Sequence, residues 1–328
     1  MKIGVLTSGG DAPGMNAAIR AVVRKARYHG CDVYGIKRGY SGLLTGEIVS
    51  LDSRSVSDIL QKGGTILQSA RCPEFKTPEG QAKAKAELEK LGLNGLVIIG
   101  GDGSFRGAQT LNQMGFLTVG IPGTIDNDIG CTDYAIGFDT AVNTVLDAMN
   151  KIRDTASSHN RVYVIEVMGK NSGFIAVAAG LTGGAEAILI PEIPVNLDEV
   201  CAKIIKNAKL GKAHSIVLVA EGYYEDPISA EQSSGLRVGK YIAENTDRDT
   251  RITILGHLQR GGTPTFFDRK LATLMGNKAV EMLLDGETEK MVGMVNNRIQ
   301  VFPLEQAIRT KKAVSQEELE LAGIMSSI

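Results

Sequence analysis

Two acidic, glycine-rich segments stand close together in the chain and have the residue types needed for chemistry on a phosphate ester. Residues 100–104 (Gly-Gly-Asp-Gly-Ser) follow an apolar run at 96–99, and residues 122–128 (Pro-Gly-Thr-Ile-Asp-Asn-Asp) follow an apolar run at 116–121. Open α/β sheets bind ligands in loops at the carboxyl ends of buried strands. The two segments therefore indicate a metal-bound nucleotide at one loop and a hydroxyl to be activated at the other.

Asp102 is the candidate magnesium ligand in the first segment. It is flanked by glycines, so a phosphate–magnesium group could approach the backbone there. A hard divalent cation keeps several waters, so one carboxylate plus phosphate oxygens is sufficient. The structural alternative is that Asp102 or Ser104 caps a helix starting near Phe105. We favour the metal role because the second acidic loop follows so closely.

Asp126 and Asp128 are the candidate acid–base pair in the second segment. One carboxylate could accept a proton from an attacking hydroxyl while the other orients that hydroxyl or reaches the metal. A sugar alcohol keeps its proton until late in the attack, so a base is needed in the transition state. An Asp-Asn-Asp sequence equally suits a simple Asx-turn. The residues of this segment alone leave both interpretations open.

Other loops carry groups that bind phosphate. Residues 7–16 (Thr-Ser-Gly-Gly-Asp-Ala-Pro-Gly-Met-Asn) lead into a helix at 17–27, where glycines let backbone N–H groups approach an anion. This segment has neither the P-loop nor the dinucleotide pattern, and a tight turn without a ligand would read the same way. Five basic residues stand in or beside turns or strand ends, and guanidinium groups bind phosphate bidentately: Arg71, Arg161, Arg251, His257 and Arg260.

Short apolar runs, each followed by a polar loop and a helical pattern, predict the elements that hold these loops. They begin at 3, 97, 117, 162, 187, 215 and 252, and they lack the alternation of a half-exposed sheet. This predicts an α/β fold with parallel strands covered on both faces. Asn196 should cap a helix that ends before Gly211, and Ser315 with Glu318 forms a capping-box pattern. The polar stretch 223–250 is interpreted as a surface excursion between domains.

Length, charge and cysteine usage limit the class of protein. The 328 residues exceed what one hydrophobic core usually serves, so two domains are expected. The 36 basic and 37 acidic side chains nearly cancel, which argues against nucleic acid or a membrane surface as partner. No apolar run approaches the ~20 residues of a membrane span, and residues 1–7 become polar too early for a signal peptide. Four widely spaced cysteines are typical of reduced thiols, so we expect a cytoplasmic protein.

The chain resembles the bacterial ATP-dependent 6-phosphofructokinase family along almost its whole length. The segments that carry the resemblance are residues 6–16, 100–104, 122–128, 153–155, 166–169 and 255–262. It implies two Rossmann-like three-layer α/β domains with mostly parallel sheets: a large ATP-binding domain (1–138 and 251–304) and a smaller sugar-phosphate and effector domain (139–250 and 305–328). It further implies a homotetramer that transfers a phosphoryl group from Mg-ATP to the 1-hydroxyl of fructose 6-phosphate, a step of glycolysis.

The resemblance also implies a role for individual residues. Asp126 would be the base with Asp128 as its partner, assisted by Thr124 and Lys170, and Asp102 would be the magnesium-site carboxylate. ATP would be held by Gly10, Arg71, Cys72, Gly101, Asp102, Gly103 and Ser104. The sugar phosphate would be held by Thr124, Ile125, Asp126, Met168, Gly169, Lys170, Glu221, His257 and Arg260, with Arg161 and Arg251 from a neighbouring subunit. An effector would meet Arg20, Arg24, Arg153, Glu186 and Lys212.

Some residues separate this chain from parts of that family. Pyrophosphate-using relatives typically carry bulkier charged residues at the positions of Gly103 and Gly123, so two glycines favour ATP as donor. Lys170 stands where an Arg is usual, which keeps the charge and loses the planar fork, and Phe174 replaces a common Asp. Altered allostery is expected because basic residues of the effector site are replaced by Ser53, Leu210 and Ala213.

Three other functions compete with this interpretation. Two are enzymes: a pyrophosphate-dependent phosphofructokinase and a kinase for a related sugar phosphate. The third is a non-catalytic sensor of nucleotide and sugar phosphate, against which the intact Asp102, Asp126 and Asp128 argue.

Overall fold

The computed structural model describes residues 1–224 and 233–326 and divides the chain into two compact units. The first comprises Met1–Thr140 and Arg260–Lys312, and the second comprises Ala141–Gln259 and Ala313–Ile328. The expected boundary between the smaller domain and the returning part of the large domain lay between residues 250 and 251, whereas the structure keeps residues 251–259 in the second unit. The reason is that the strand Thr250–Ile254 belongs to the second unit's sheet. No helix among the described residues is long and apolar enough to cross a membrane.

The first unit is built on a seven-stranded sheet. Its strands are β1 Lys2–Thr7, β2 Asp32–Ile36, β3 Ile48–Leu51, β4 Gly95–Gly100, β5 Leu117–Pro122, β10 Lys290–Val295 and β11 Arg298–Pro303, in the order β11-β10-β5-β4-β1-β2-β3. Only β3 and β11, at the two edges, pair antiparallel to their neighbours. The helices are α1 Met15–Tyr28, α2 Gly39–Thr45, α3 Pro78–Leu91, α4 Asp102–Gln113, α9 Phe266–Leu284 and α10 Leu304–Arg309, with a short 3₁₀ helix at Pro73–Lys76.

The second unit is built on a four-stranded, fully parallel sheet. Its strands are β6 Val162–Val167, β7 Ala187–Leu189, β8 Ser215–Ala220 and β9 Thr250–Ile254, in the order β7-β8-β6-β9. Its helices are α6 Phe174–Gly183, α7 Leu197–Lys209, α8 Ser234–Asn245 and α11 Gln316–Met325. Helix α5, Phe138–His159, contains the boundary between the units, and a 3₁₀ helix spans Gly256–Arg260.

These sheets confirm the predicted α/β fold with mostly parallel strands. All seven apolar runs are strands, and β4 illustrates why they lack alternation: all six of its residues are buried, so both faces are covered. The helix signals also hold, because the Asn196 side chain accepts from Asp198 N at 3.0 Å and the Ser315 hydroxyl accepts from Glu318 N at 3.1 Å. Gly211 follows α7 with φ +93°, the left-handed conformation that favours glycine.

The interpretation of residues 223–250 as a surface excursion between domains is wrong for the part that the structure describes. Helix α8 lies in this stretch, and its Val238 and Ile242 are fully buried in the core of the second unit. The polar composition misled because α8 is amphipathic and shows its charged residues to solvent. Residues 225–232 of this stretch lie outside the described residues.

Candidate active site

Three loops lie side by side at the carboxyl ends of three strands in the first sheet. They follow β1, β4 and β5, which are parallel neighbours, so their carboxyl ends lie side by side. Backbone hydrogen bonds link the loops where they leave the sheet: Ser8 N donates to Ile99 O at 3.0 Å, and Gly123 N donates to Gly100 O at 3.0 Å. The glycine-rich and acidic segments of the sequence are therefore neighbours in space.

The loop after β1 is shaped around the Arg260 guanidinium. Arg260 Nη1 donates to Asp11 O at 3.0 Å, and a Cβ on Gly10 would occupy the position of the guanidinium. Gly14, with φ +106°, precedes α1. In this structure Gly10 makes room for Arg260, and the arginine holds the loop that was expected to meet the nucleotide.

Asp102 is the first residue of α4, and Gly101 precedes the helix. The alternative in which Asp102 or Ser104 caps this helix is therefore wrong. The Asp102 carboxylate is about half exposed and pairs with Arg106 Nε at 3.1 Å, an exposed i,i+4 pair that contributes little to stability. Ser104 is buried, with its hydroxyl oxygen beside Gly9 and Gly100.

A magnesium ion fits this loop only in company with phosphate. Among the described residues no group of three or more His, Cys, Asp or Glu side chains could hold a metal ion. A lone carboxylate at the first turn of a helix, beside glycines, is the arrangement expected for an ion that brings its own phosphate and water ligands. Asp102 is the residue that would contact it.

Gly103 and Gly123 differ in what surrounds them. A Cβ on Gly103 would meet no heavy atom within 4 Å among the described residues. A Cβ on Gly123 would lie 3.0 Å from Ile99 Cγ2 and 3.3 Å from Met15 Cε, both fully buried. Open space at Gly103 is compatible with a nucleotide, but Gly123 is explained by close packing against the core. Its use as an argument for ATP is not supported by this geometry.

The loop after β5 holds its two carboxylates in different environments. Asp126 is 9% exposed, whereas Asp128 is exposed. The Thr124 hydroxyl accepts from Asp126 N at 3.2 Å, which closes the turn that carries Asp126. Ile125 is fully buried, so only its backbone can face a ligand.

A neighbouring segment braces this loop. Asn127, at φ +53°, accepts from Ala135 N at 2.9 Å and donates from Nδ2 to Asp133 O at 3.1 Å. Thr124 N donates to Ile136 O at 3.1 Å, and Ile136 N donates to Pro122 O at 2.9 Å. The loop is thus held along its length by residues 133–136.

In the second unit, a strained turn after β6 presents Lys170. The Glu221 carboxylate accepts from Gly169 N at 3.2 Å and from Lys170 N at 2.7 Å. Lys170 has φ +57°, which is unfavourable for a residue with a side chain and persists where the surroundings impose it. Met168 N donates to the Gln259 side chain at 3.2 Å, and Gln259 is fully buried. Glu221 therefore shapes the turn that carries Lys170, whose side chain is exposed.

Arg161 and Arg251 lie at the other end of the same sheet. Arg161 precedes β6, and Arg251 is paired in register with Tyr163 near the start of that strand. One oxygen of Asp249 accepts from Arg161 Nε at 2.6 Å and from Arg251 Nη2 at 3.0 Å. Hydrogen bonds to Asp249 and Tyr163 raise the pKa of Arg161. At ~3.3 Å per residue, the length of β6 puts this pair roughly 20 Å from the Lys170 turn.

The expected ligand residues Arg71, Cys72 and His257 are not joined into one cluster in the part of either unit that the structure describes. Arg71 and His257 are exposed, while Cys72 is half-buried against the core of the first unit. All four cysteines are free thiols, as expected.

The expected effector residues are divided between the units. Arg20 and Arg24 lie on α1, and burial together with Arg24 lowers the pKa of Arg20. In the second unit, buried Glu186 pairs with Lys212 and accepts from Ile216 N, while Arg153 donates to Gly183 O.

Sequence reasoning missed three polar residues that shape these loops: Asn127, Gln259 and Asp268. Asp268 is fully buried, and burial raises its pKa to about 6 despite hydrogen bonds from Thr140 and Gly137 that lower it. A local signal existed for Asp268, because Thr265 three residues earlier caps α9 by accepting from Asp268 N at 3.2 Å. Nothing in the local sequence points to the distant partners of Gln259.

Comparison with known proteins supplies the family. Residues 2–283 match the family model described as phosphofructokinase. Two proteins named ATP-dependent 6-phosphofructokinase are 56% identical over 329 residues (Halothermothrix orenii) and 54% identical over 325 residues (Halalkalibacterium halodurans), with 99% of each chain covered. The solved phosphofructokinase of Saccharomyces cerevisiae is 35% identical with a TM-score of 0.87; the match covers 99% of this chain and 48% of the yeast chain, so this chain spans about half of it. The chain belongs to the phosphofructokinase family.

Proposed function

We propose that this protein transfers the terminal phosphoryl group of ATP to the 1-hydroxyl of fructose 6-phosphate, giving fructose 1,6-bisphosphate and ADP. One observation carries the proposal. The Asp102 loop and the Asp126 loop lie next to each other at the ends of neighbouring strands, and the hydrogen bond from Gly123 N to Gly100 O links them. The full-length similarity to proteins named ATP-dependent 6-phosphofructokinase supports the choice of donor and acceptor.

Asp126 acts as the base in this proposal. As the oxygen of the sugar hydroxyl bonds to the terminal phosphorus, its proton passes to the Asp126 carboxylate and the bond from phosphorus to the bridging oxygen breaks, releasing ADP. Asp126 is well placed for this because its turn is closed by Thr124 and braced at Asn127, so little reorganisation is needed. Asp128, exposed in the same loop, orients the hydroxyl. Lys170 supplies positive charge for the transferring group.

The first unit binds the nucleotide. Asp102 would contact a magnesium ion, which would neutralise phosphate charge when bound with the nucleotide. The open space at Gly103 and the backbone of residues 101–104 accommodate the phosphates at the N-terminus of α4. Gly10, Arg71 and Cys72 complete the ATP contacts.

The second unit binds the sugar phosphate through Met168, Gly169, Glu221 and His257. Arg161 and Arg251 stand too far from the Lys170 turn to meet the same small ligand within one unit. We infer that they serve the sugar phosphate of a neighbouring subunit in a homotetramer. Specific activity should then fall on dilution in parallel with the loss of the oligomer, measured by analytical ultracentrifugation; full activity of a monomer would contradict this.

The effector response is proposed to be weak. Glu186 and Lys212 neutralise one another, and the positions of Ser53, Leu210 and Ala213 carry no positive charge for an anionic effector. Strongly sigmoidal fructose 6-phosphate kinetics under phosphoenolpyruvate, relieved by ADP, would contradict this.

A coupled assay tests the activity itself. Purified protein is given fructose 6-phosphate with either Mg-ATP or Mg-pyrophosphate, and product is followed through aldolase and a dehydrogenase. We expect turnover with ATP that Asp126→Ser lowers by about 10²–10⁴-fold, the usual contribution of a general base. Faster turnover with pyrophosphate would refute the donor, and binding of both ligands without turnover would favour the sensor.

A further inference from the structure

Asp268, in the first turn of α9, holds a neighbouring segment of the chain with its carboxylate. The residue is fully buried in the first unit. Its Oδ1 accepts from Gly137 N at 2.8 Å, and its Oδ2 accepts from Thr140 N at 2.8 Å and Thr140 Oγ1 at 2.6 Å. Three donors converge on one buried carboxylate, which compensates for its removal from water.

The residues that Asp268 holds continue directly into the brace of the catalytic loop. Gly137 follows Ile136, whose backbone makes both hydrogen bonds to Thr124 and Pro122. The Gly137 N–H that Asp268 accepts from and the Ile136 carbonyl that accepts from Thr124 N therefore belong to the same peptide group.

Packing around Gly137 leaves this segment little alternative position. Gly137 has φ +106°, and a Cβ there would lie 2.6 Å from Ala12 Cβ and 3.4 Å from Ile125 Cγ2. A Cβ on Gly14 would lie 2.7 Å from Ile136 Cγ2 and 3.5 Å from Asp268 Cβ. The loop after β1, the Asp126 loop and Asp268 thus meet at residues 136–137, and a shift of this segment would move the loop that carries Asp126.

We propose that Asp268 is a positioning residue for Asp126: its carboxylate fixes Gly137 and Thr140, and through Ile136 it fixes the loop on which the base stands. The inference rests on the proposed function of Asp126. Asp268 is a carboxylate because its two oxygens face three donors, and an amide in its place would turn an N–H₂ group toward one of them. Burial raises the pKa of Asp268, and the hydrogen bonds from Thr140 and Gly137 oppose that rise.

A double-mutant cycle tests the proposal. In the wild-type background, Asp268→Asn should lower kcat by about 100-fold, as misplacement of a catalytic group by ~1 Å does, with KM for both substrates within about threefold. In an Asp126→Ser background, where no base remains to be positioned, the same substitution should change kcat by less than about threefold. Equal losses in the two backgrounds, or a wild-type-like kcat in Asp268→Asn, would overturn the proposal.

Thr140 provides a milder version of the same test if Asp268→Asn does not fold. Thr140→Val keeps the shape and removes the hydroxyl donor to Asp268, whereas Thr140→Ser keeps the donor. We expect Thr140→Val to lower kcat about tenfold and Thr140→Ser to restore it to within about twofold; equal kcat in the two variants would overturn the proposal. A wild-type protein inactive on fructose 6-phosphate would instead refute the proposed function, so the two failures are distinguishable.

Discussion

The contrast between Gly123 and Gly103 gives a prediction in which one substitution has opposite effects at two positions. Replacing Gly123 with alanine adds a methyl group 3.0 Å from Ile99 Cγ2 and 3.3 Å from Met15 Cε, and neither neighbour is exposed to solvent. Both neighbours would have to yield by a few tenths of an ångström in a packed interior. Gly103→Ala adds the same methyl group where the described residues leave open space, in the first turn of α4.

The magnitudes follow from packing and helix propensity. Overpacking by one methyl group costs about 1–3 kcal/mol, so Gly123→Ala should lower the free energy of unfolding by that amount. Gly103→Ala should raise it by at most about 1 kcal/mol, because alanine loses less backbone entropy than glycine in a helix. The two variants should therefore differ by about 1–4 kcal/mol.

Thermal unfolding followed by calorimetry measures the difference. At about 2–4 °C per kcal/mol for a unit of this size, the Gly123→Ala midpoint should lie at least ~2 °C below that of Gly103→Ala. Equal midpoints, or a more stable Gly123→Ala, would show that Gly123 is not there for packing. Its glycine would then again have to be explained by space for a ligand.

Three further predictions concern the donor, the Lys170 turn and pH. Gly103→Asp should lower kcat/KM for ATP by ~10-fold or more through like-charge repulsion of the phosphates, while Gly103→Ala does not; equal values in the coupled assay would contradict this. Glu221→Ala should lower kcat/KM for fructose 6-phosphate by about 10–100-fold because the turn loses the Oε1 atom that accepts from Gly169 N and Lys170 N; a change below twofold would contradict it. Burial lowers the pKa of His214, so its pKa in the folded state lies below the ordinary histidine value of 6.5. The stability that the neutral side chain contributes is therefore present above pH 6.5 and is lost as pH falls from 6.5 through the folded-state pKa. His214→Gln should lose less stability than wild type in denaturant titrations between pH 7 and pH 5, and parallel losses would contradict this.

The fold was predictable wherever strands are buried on both faces. β4 and β6 read as continuous apolar runs, and all their residues are buried. β2 and β10 were not predicted from the sequence because Gly35 and Gly293 interrupt their short apolar runs. Both glycines are required by packing, since a Cβ on Gly35 would collide with Leu67 and Leu51.

The candidate site was predictable only to the extent that it is local. The Asp102 loop and the Asp126 loop are each one continuous stretch of sequence, and the pairing of β4 with β5 brings them together. Asp268 joins them from 142 residues beyond Asp126, and Gln259 reaches Met168 from 91 residues away. Such partners are chosen by tertiary packing, about which a local pattern carries no information.

The position of Arg161 and Arg251 beside Asp249 also has a genetic consequence. If their guanidinium groups serve a neighbour's ligand, lesions at opposite ends of the β6 sheet damage different halves of each reaction centre. An allele lacking Arg161 and an allele lacking Glu221 would each give an inactive enzyme when expressed alone. Co-expressed in one cell, they would assemble mixed oligomers in which about one quarter of the centres receive two intact halves. Growth on a sugar that requires this step would then reappear through intragenic complementation.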